Sequence, residues 1–373
     1  MALPDRIKIY KDIEKKRGNP LIVYVTSQRK GAAGSMAADA VEEFIDQIEL
    51  IDGVKNRNVD LYIESTGGDP LTSWRIISLL RTKFEKITVF VSHSAFSAAT
   101  LLALGADEII MGPFASLGPI DPQITTKKAD GSTQQFGYED VISFLNFVKE
   151  EAGLTEQQYI QIALDKLCSV VEPTVLGFAK RSSSLSVSMG EKMLQMHMID
   201  SEKKLQAGTI ATKLNKSYFN HGHALSRKDA KAIGLNVQDM DSELEKLIWE
   251  VHRDFEKELQ TRVPFDPLAE FLKDEKAAPF LRPVPPINIP PQLNPQLAVQ
   301  MLQEYINGQL NVELPDVQTE LKYAFIESIS KASEYYVKSK VIFQRTLDMK
   351  FNGNLITLSQ GWRNVKVKNN GKK

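Results

Sequence analysis

Ser97 stands behind Ser94-Ala-Phe96 and opens the run Ala98-Ala-Thr-Leu-Leu-Ala-Leu104, while a glycine pair, Gly67-Gly68, lies thirty residues upstream. Small residues ahead of a short apolar run predict a tight turn into a buried helix. A serine at such a helix start sees the positive end of the macrodipole and free backbone N–H groups beside it. The glycine pair follows the strand-like Val59-Asp-Leu-Tyr-Ile-Glu64, so a second set of bare N–H groups could face the same point. A hydroxyl nucleophile beside oxyanion donors is the equipment of acyl transfer. On these residues the chain reads as a serine hydrolase. The bland alternatives are tight helix–sheet packing for Ser97 and turn geometry for the glycines, to which an oxyanion role adds without competing.

Positioning those groups requires a sheet. Leu21–Val25 reads as a strand, followed by a polar loop and an amphipathic helix over roughly 37–51. The segment 59–64, a helix near 71–83, a strand at 87–91, the Ser97 helix and a short strand at 108–111 continue the alternation. Alternating strands and helices predict an α/β fold with a parallel sheet, and reactive groups in such sheets collect at the carboxyl ends of strands. Beyond it, 124–128 and 132–136 flank Ala129-Asp130-Gly131 as a hairpin. Helices are expected at 138–148 and 155–195, the latter broken near Pro173, then a capped helix with a glycine stop at Gly234, a strand to Val237 and a helix over 242–259. Seven prolines between 277 and 297 forbid a helix there and favour an extended connector. Helical patterns are read at 296–307 and 315–345, then a short strand-like end. The expected domains are 1–260, a proline-rich linker at 261–298, and a mainly helical C-terminal extension at 299–373 with a basic tail.

Composition narrows the function. The formal charge of −1 over 373 residues gives no global attraction to nucleic acid or anionic membrane. Only the last thirteen residues are one-sided, with Arg363, Lys366, Lys368, Lys372 and Lys373, and a solvated terminus accounts for them as well as an acidic partner does. The single Cys168 leaves no internal disulfide framework, fits a reducing compartment and reads as a packed thiol. No signal-peptide core and no run of ~18 apolar residues is present, so a cytoplasmic protein without a membrane span is expected. No Gly-x-Gly-x-x-Gly opens a helix after a strand, so nicotinamide binding has no basis; no cofactor and no metal are expected.

Four strings then converge: Glu64-Ser-Thr-Gly-Gly-Asp-Pro70, His93-Ser-Ala-Phe-Ser-Ala-Ala-Thr100, Ala106-Asp-Glu-Ile-Ile-Met111 and Leu117-Gly-Pro-Ile-Asp-Pro-Gln123. Their order and spacing resemble the Clp protease/crotonase superfamily, and within it the serine dehydrogenase proteinase family, relatives of signal peptide peptidase A. Looser matches at Tyr24-Val-Thr-Ser-Gln-Arg29, Asn220-His-Gly-His-Ala-Leu-Ser226 and Ala232-Ile-Gly-Leu235 extend the resemblance over about residues 5–255. It implies a ββα superhelix, homo-oligomeric rings or stacks, and hydrolysis of peptide bonds. Family members place a glycine two residues after the serine, where this chain has Ala99. The 124–136 hairpin looks like an insertion.

A serine hydroxyl needs a base within hydrogen-bond reach. By the resemblance to Clp subunits, Asp121 falls at the position of the family's histidine, and His221 with His223 at the position of its acid. The expected triad is therefore Ser97–His221–Asp121 with acid and imidazole exchanged, which is allowed because triads are defined by geometry. Gly68 and Ala98 would supply the oxyanion N–H groups. The competing base is a lysine, with Lys127, Lys128, Lys149 and Lys180 eligible, although a lysine base must be desolvated. His93 could merely satisfy loop backbone groups, His221 and His223 could be surface residues, and Asp121 could cap a turn. The resulting expectation is a serine peptidase that binds peptide or protein substrate extended along a strand edge, with a C-terminal region available to a protein partner. An inactive oligomeric scaffold and a crotonase-like acyl-thioester enzyme are the alternatives.

Overall fold

The computed structural model describes residues 3–51, 57–127, 131–218, 220–277, 286–310, 316–345 and 351–365. Its centre is a parallel sheet. The strand Leu21–Thr26 pairs with Asn58–Ser65, which pairs with Lys86–Ala95, which pairs with Glu108–Met111, and Val237–Asp239 closes that edge, all parallel. The strands sit close to where the alternation in sequence puts them. Successive side chains on a strand point to opposite faces, and both faces here are buried. Val59, Leu61 and Ile63 join Val89 and Val91 in one core, while Tyr62 and Phe90 join the other. The first core is covered by the helices Ala40–Leu50, Pro70–Lys83 and Ala98–Leu104, and the second by Leu3–Arg17 and Ser242–Glu258. Burial on both faces explains why these strands read as near-continuous apolar runs.

The hairpin is formed by Gln123–Lys127 and Thr133–Gly137, antiparallel; Lys128, Ala129 and Asp130 lie outside the described residues. Helices follow at Tyr138–Asn146, Gln157–Cys168 and Pro173–Leu194, with a π-helical turn at Phe147–Glu151. Pro173 starts the third of these as its first residue, a position where its missing N–H costs nothing. Cys168 is half-buried at the last turn of its helix. The helices Leu3–Arg17 and Ser201–Lys216 were not expected from the pattern. Among the described residues no helix is long and apolar enough to cross a membrane.

The largest departure is at the C-terminus. The helix Pro295–Leu310 forms as expected, but 315–345 is not helical: Val317–Glu327 and Ala332–Arg345 are strands, joined by a third, Phe351–Asn364. The reason is a period of two. Tyr335, Val337, Val341 and Phe343 alternate with Glu334, Lys338 and Lys340, and aromatic and β-branched side chains suit a pleated surface. Val317–Glu327 pairs antiparallel with Leu21–Thr26, so these strands extend the central sheet. Arg363 is likewise no part of a free basic tail. It bonds Glu334 at 2.6 Å and Glu320 at 2.5 Å. Lys366, Lys368, Lys372 and Lys373, and residues 278–285 of the proline segment, lie outside the described residues.

One buried ion cluster fastens the C-terminal strand to the rest. Arg6 bonds Glu327 through two nitrogens at 2.9 and 2.7 Å and also reaches Asp254 and, at 2.6 Å, Glu258; Tyr10 Oη adds a 2.7 Å bond to Glu327. Arg6, Asp254 and Glu327 are each about 1 % exposed. Removing one member of a buried ion pair leaves the others uncompensated. Arg6→Ala is therefore expected to lower unfolding stability by about 3–5 kcal/mol in urea denaturation, with both ends of the chain loosening together by hydrogen exchange.

Candidate active site

The strand Asn58–Ser65 ends in Thr66-Gly67-Gly68, and the strand Lys86–Ala95 ends in Phe96-Ser97, so both loops emerge side by side at the carboxyl edge of the sheet. Phe96 N donates to Ser65 O at 3.0 Å, which ties the loops together. Ser97 has φ +52° and ψ −116° and is the N-cap of the helix Ala98–Leu104. A left-handed φ at a non-glycine residue is strained, and a sharp strand-to-helix turn of this kind is how a nucleophilic serine is held out from a sheet. The strain is held in place by packing: every residue from Ala98 to Leu104 is buried. Ser97 itself is half-buried. Ala99, where the family pattern has glycine, is fully buried without disturbing the helix start.

Gly67 is pressed against this turn. A Cβ built on it would lie 2.6 Å from Phe96 O, 2.8 Å from Ser97 Cβ and 2.9 Å from Ala98 N, and its φ is +104°. Only glycine fits. Met36 N donates to Gly67 O and Asp69 N donates to Met36 O, both at 2.8 Å, which makes a parallel bridge centred on Gly68. In such a bridge the flanking residues take the bonds, so the N–H of Gly68 points away from Met36. Ala98 N is the first N–H of its helix and has no partner four residues back. A free N–H at the helix start beside a serine is one of the donors a tetrahedral oxyanion requires.

The turn carrying Asp121 is clamped by other means. Gly118 N donates to Ala95 O at 3.0 Å, and the Thr100 hydroxyl lies 2.7 Å from Ala95 O and 2.9 Å from Gly118 O. Ile120 N donates to Leu214 O at 3.0 Å and the Ser186 hydroxyl donates to Ile120 O, so the helices Pro173–Leu194 and Ser201–Lys216 fix the backbone just before Asp121. Leu117 and Leu225 bridge antiparallel, bringing the Asn220–Ser226 loop alongside. As a result His221 Nδ1 lies 2.9 Å from Asp121 Oδ1, while Gln123 Nε2 donates to Asp121 Oδ2 at 2.7 Å. An imidazole held through Nδ1 by a carboxylate presents Nε2 outward, the orientation a general base needs. A polar cavity of about 420 Å3 opens beside the pair, lined among others by Asp140, Ser183, Asn215 and Tyr218.

Two groups are thus assembled, Ser97 with Gly67, Gly68 and Ala98, and Asp121 with His221. Among the described residues no hydrogen bond joins Ser97 Oγ to His221. His223 is exposed and stacks on Tyr218 at 4.9 Å. Lys127, Lys149 and Lys180 are exposed, with Lys180 over the Tyr138 ring at 4.6 Å, and Lys128 lies outside the described residues. None of the three has the burial a lysine base needs. His93 does not satisfy loop backbone; it is exposed and stacks on His252 at 4.8 Å. Met36, which orients Gly68, had no signal in the sequence, because its role is a backbone bridge made from a distant loop.

Residues 2–137 match the family model described as ClpP-like SDH-type serine proteinase. The matched span holds Gly67, Gly68, Ser97, Ala98 and Asp121 and stops short of His221. Two uncharacterized proteins of Methanocaldococcus jannaschii are 34% identical over 126 residues and 32% identical over 123 residues, each over 32% of this chain. The matches span 42% and 43% of those relatives. Solved structures similar to this chain include the membrane-bound stomatin-specific protease 1510-N (15% identity, 61% of this chain and 84% of that one, TM-score 0.37). Another is ClpP1 of Listeria monocytogenes (12% identity, 62% and 98%, TM-score 0.32). The fold assignment accordingly rests on the family match and on the α/β sheet itself.

The contacts of Gly67 yield a direct test. Gly67→Ala is expected to destabilise the chain by about 1–3 kcal/mol through the strained φ alone, with further loss from the clash at Ser97 Cβ. Urea denaturation measures the first effect. A fall in Ser97 reactivity in the fraction that stays folded measures the displacement of the turn.

Proposed function

We propose that the chain is a serine peptidase that cleaves peptide bonds through an acyl-enzyme on Ser97. The observation that carries the reading is the strained Ser97 turn locked between Gly67 and the buried helix that starts at Ala98. In the reaction His221 Nε2 takes the Ser97 proton as Oγ attacks the carbonyl, and the Gly68 and Ala98 N–H groups receive the negative oxygen. His221 then returns the proton to the departing amine, and Asp121 steadies the imidazole through Nδ1. Water repeats the sequence to release the acyl group. An extended peptide would pair through its main chain along a strand edge.

Because Ser97 and His221 are not hydrogen-bonded in the single chain, closure of the triad requires a movement that substrate or a neighbouring copy supplies. We favour a homo-oligomer in a cytoplasmic setting. The helices Tyr138–Asn146 and Gln157–Cys168 bury no residue, and Phe147, Ile162, Val170 and Phe178 are 52, 55, 72 and 49 % exposed. Apolar exposure on this scale marks a contact surface. The outermost strand Phe351–Asn364, with Leu355, Ile356 and Leu358 exposed, is where a protein partner of the C-terminal region would add on. The unbonded Ser97 also supports a second reading, a catalytically silent scaffold of the same fold.

A fluorophosphonate probe separates the two. Labelling is expected in the wild type, absent in Ser97→Ala and slowed about 10²–10⁴-fold in His221→Ala; no labelling at any protein concentration would favour the scaffold. Sedimentation velocity is expected to show an oligomer that Ile162→Glu with Phe178→Glu disperses, and a wild-type monomer at micromolar concentration would contradict the assembly.

A further inference from the structure

We propose that Glu64, His93 and His252 form a binding site for a divalent transition metal, with Zn2+ as the ion that fits best. One nitrogen from each histidine and one carboxylate oxygen all lie within 4.8 Å of one another. Glu64 is on the strand Asn58–Ser65, His93 near the end of Lys86–Ala95, and His252 on the helix Ser242–Glu258 that covers the second core. The site therefore faces away from the Ser97 helix, which packs on the first core. It uses no residue of the proposed peptidase machinery.

The donor set and its surroundings both support an ion. Two imidazoles and one carboxylate with a position left open to solvent is a ligand count zinc accepts, and mixed nitrogen and oxygen donors suit it. Glu64 and His252 are 6 % exposed each and lie 2.9 Å apart through Oε2 and Nδ1. Their orientation is fixed from behind. Tyr62 Oη donates to Glu64 Oε2 at 2.9 Å, the Ser92 hydroxyl lies 3.2 Å from the same oxygen, and the Trp249 ring packs 4.5 Å from His252. Outer partners of this kind hold metal ligands in place. A buried carboxyl–imidazole pair would satisfy itself without any ion, and ring stacking alone would seat His93 on His252; what points to an ion is that the stack also brings a third donor atom within 4.8 Å of the other two.

Tetrahedral zinc with bonds of about 2.0–2.1 Å places its ligand atoms about 3.3 Å apart. Closing the site therefore takes a shift of about 1.5 Å or less, and His93 is the exposed member that can make it. The His93 and His252 rings are now stacked at 17°. Near-parallel rings direct their lone pairs side by side, so binding must tilt His93 and break the stack. Trp249, packed on His252, would report that change.

The test is calorimetric titration of the metal-stripped full chain with Zn2+ alone, followed in parallel by tryptophan fluorescence. One site is expected, weakened at least tenfold by His93→Ala and by Glu64→Gln, with a fluorescence change that Trp249→Phe removes. His93 is exposed, so its variant keeps the fold and keeps the test decisive. The chain's other clustered histidines supply the control: His221→Ala with His223→Ala should leave the affinity unchanged. Zn2+ affinity unaltered in His93→Ala, no binding at all, or binding lost in the His221/His223 variant would each overturn the site.

Discussion

The contact of Gly67 with Ser97 and Ala98 is the constraint around which the Ser97-bearing half of the molecule is arranged. Two strand ends must meet at van der Waals distance while one of them turns into a helix with a left-handed serine at the corner. A side chain at 67 would push the turn away. A looser helix after 97 would let the strained dihedral relax. The wholly buried Ala98–Leu104 helix and the Thr100 hydroxyl between Ala95 O and Gly118 O keep that from happening. The same interaction that holds Ser97 also holds the Gly118–Asp121 turn, so Ser97 and Asp121 share one anchor.

The other half of the architecture is a clamp. The N-terminal helix, the helix Ser242–Glu258 and the strand Val317–Glu327 meet at Arg6, whose guanidinium is surrounded by Glu327, Asp254 and Glu258. Burial alone would drive the proton off Arg6; hydrogen bonding and attraction from Glu327 and its neighbours reverse that and hold the charge firmly. Such a cluster specifies which elements come together more than it stabilises them, since desolvation offsets much of its attraction. Here it seats a C-terminal strand against Leu21–Thr26, the first strand of the sheet.

Much of the parallel sheet and the Ser97 turn was legible in the sequence because local signals and tertiary structure agree there. Buried strands leave apolar runs such as Ile87–Val91, glycines mark the turn, and Pro70 and Pro173 mark helix starts. The strands within 315–345 were not legible as strands in a window tuned to helices: Lys322, Lys338 and Lys340 interrupt the apolar pattern, and the period of two emerges only when alternate residues are followed across Ala332–Arg345. Long-range pairs split along similar lines. The family resemblance brought Asp121 and His221 together across a hundred positions. Glu64 and His252 are separated by 188 positions and joined by the same kind of bond; Glu64 opens a recognisable string, but nothing local announces His252 as its partner.

The account stands on Ser97 being the activated hydroxyl. Mapping a fluorophosphonate adduct by peptide mass spectrometry on the wild-type chain tests this most directly. The account predicts a single adduct on the peptide containing Ser97, localised to that residue and absent from neighbouring Ser92 and Ser94. An adduct on another serine would contradict it, as would a labelled protein whose Ser97 peptide remains unmodified.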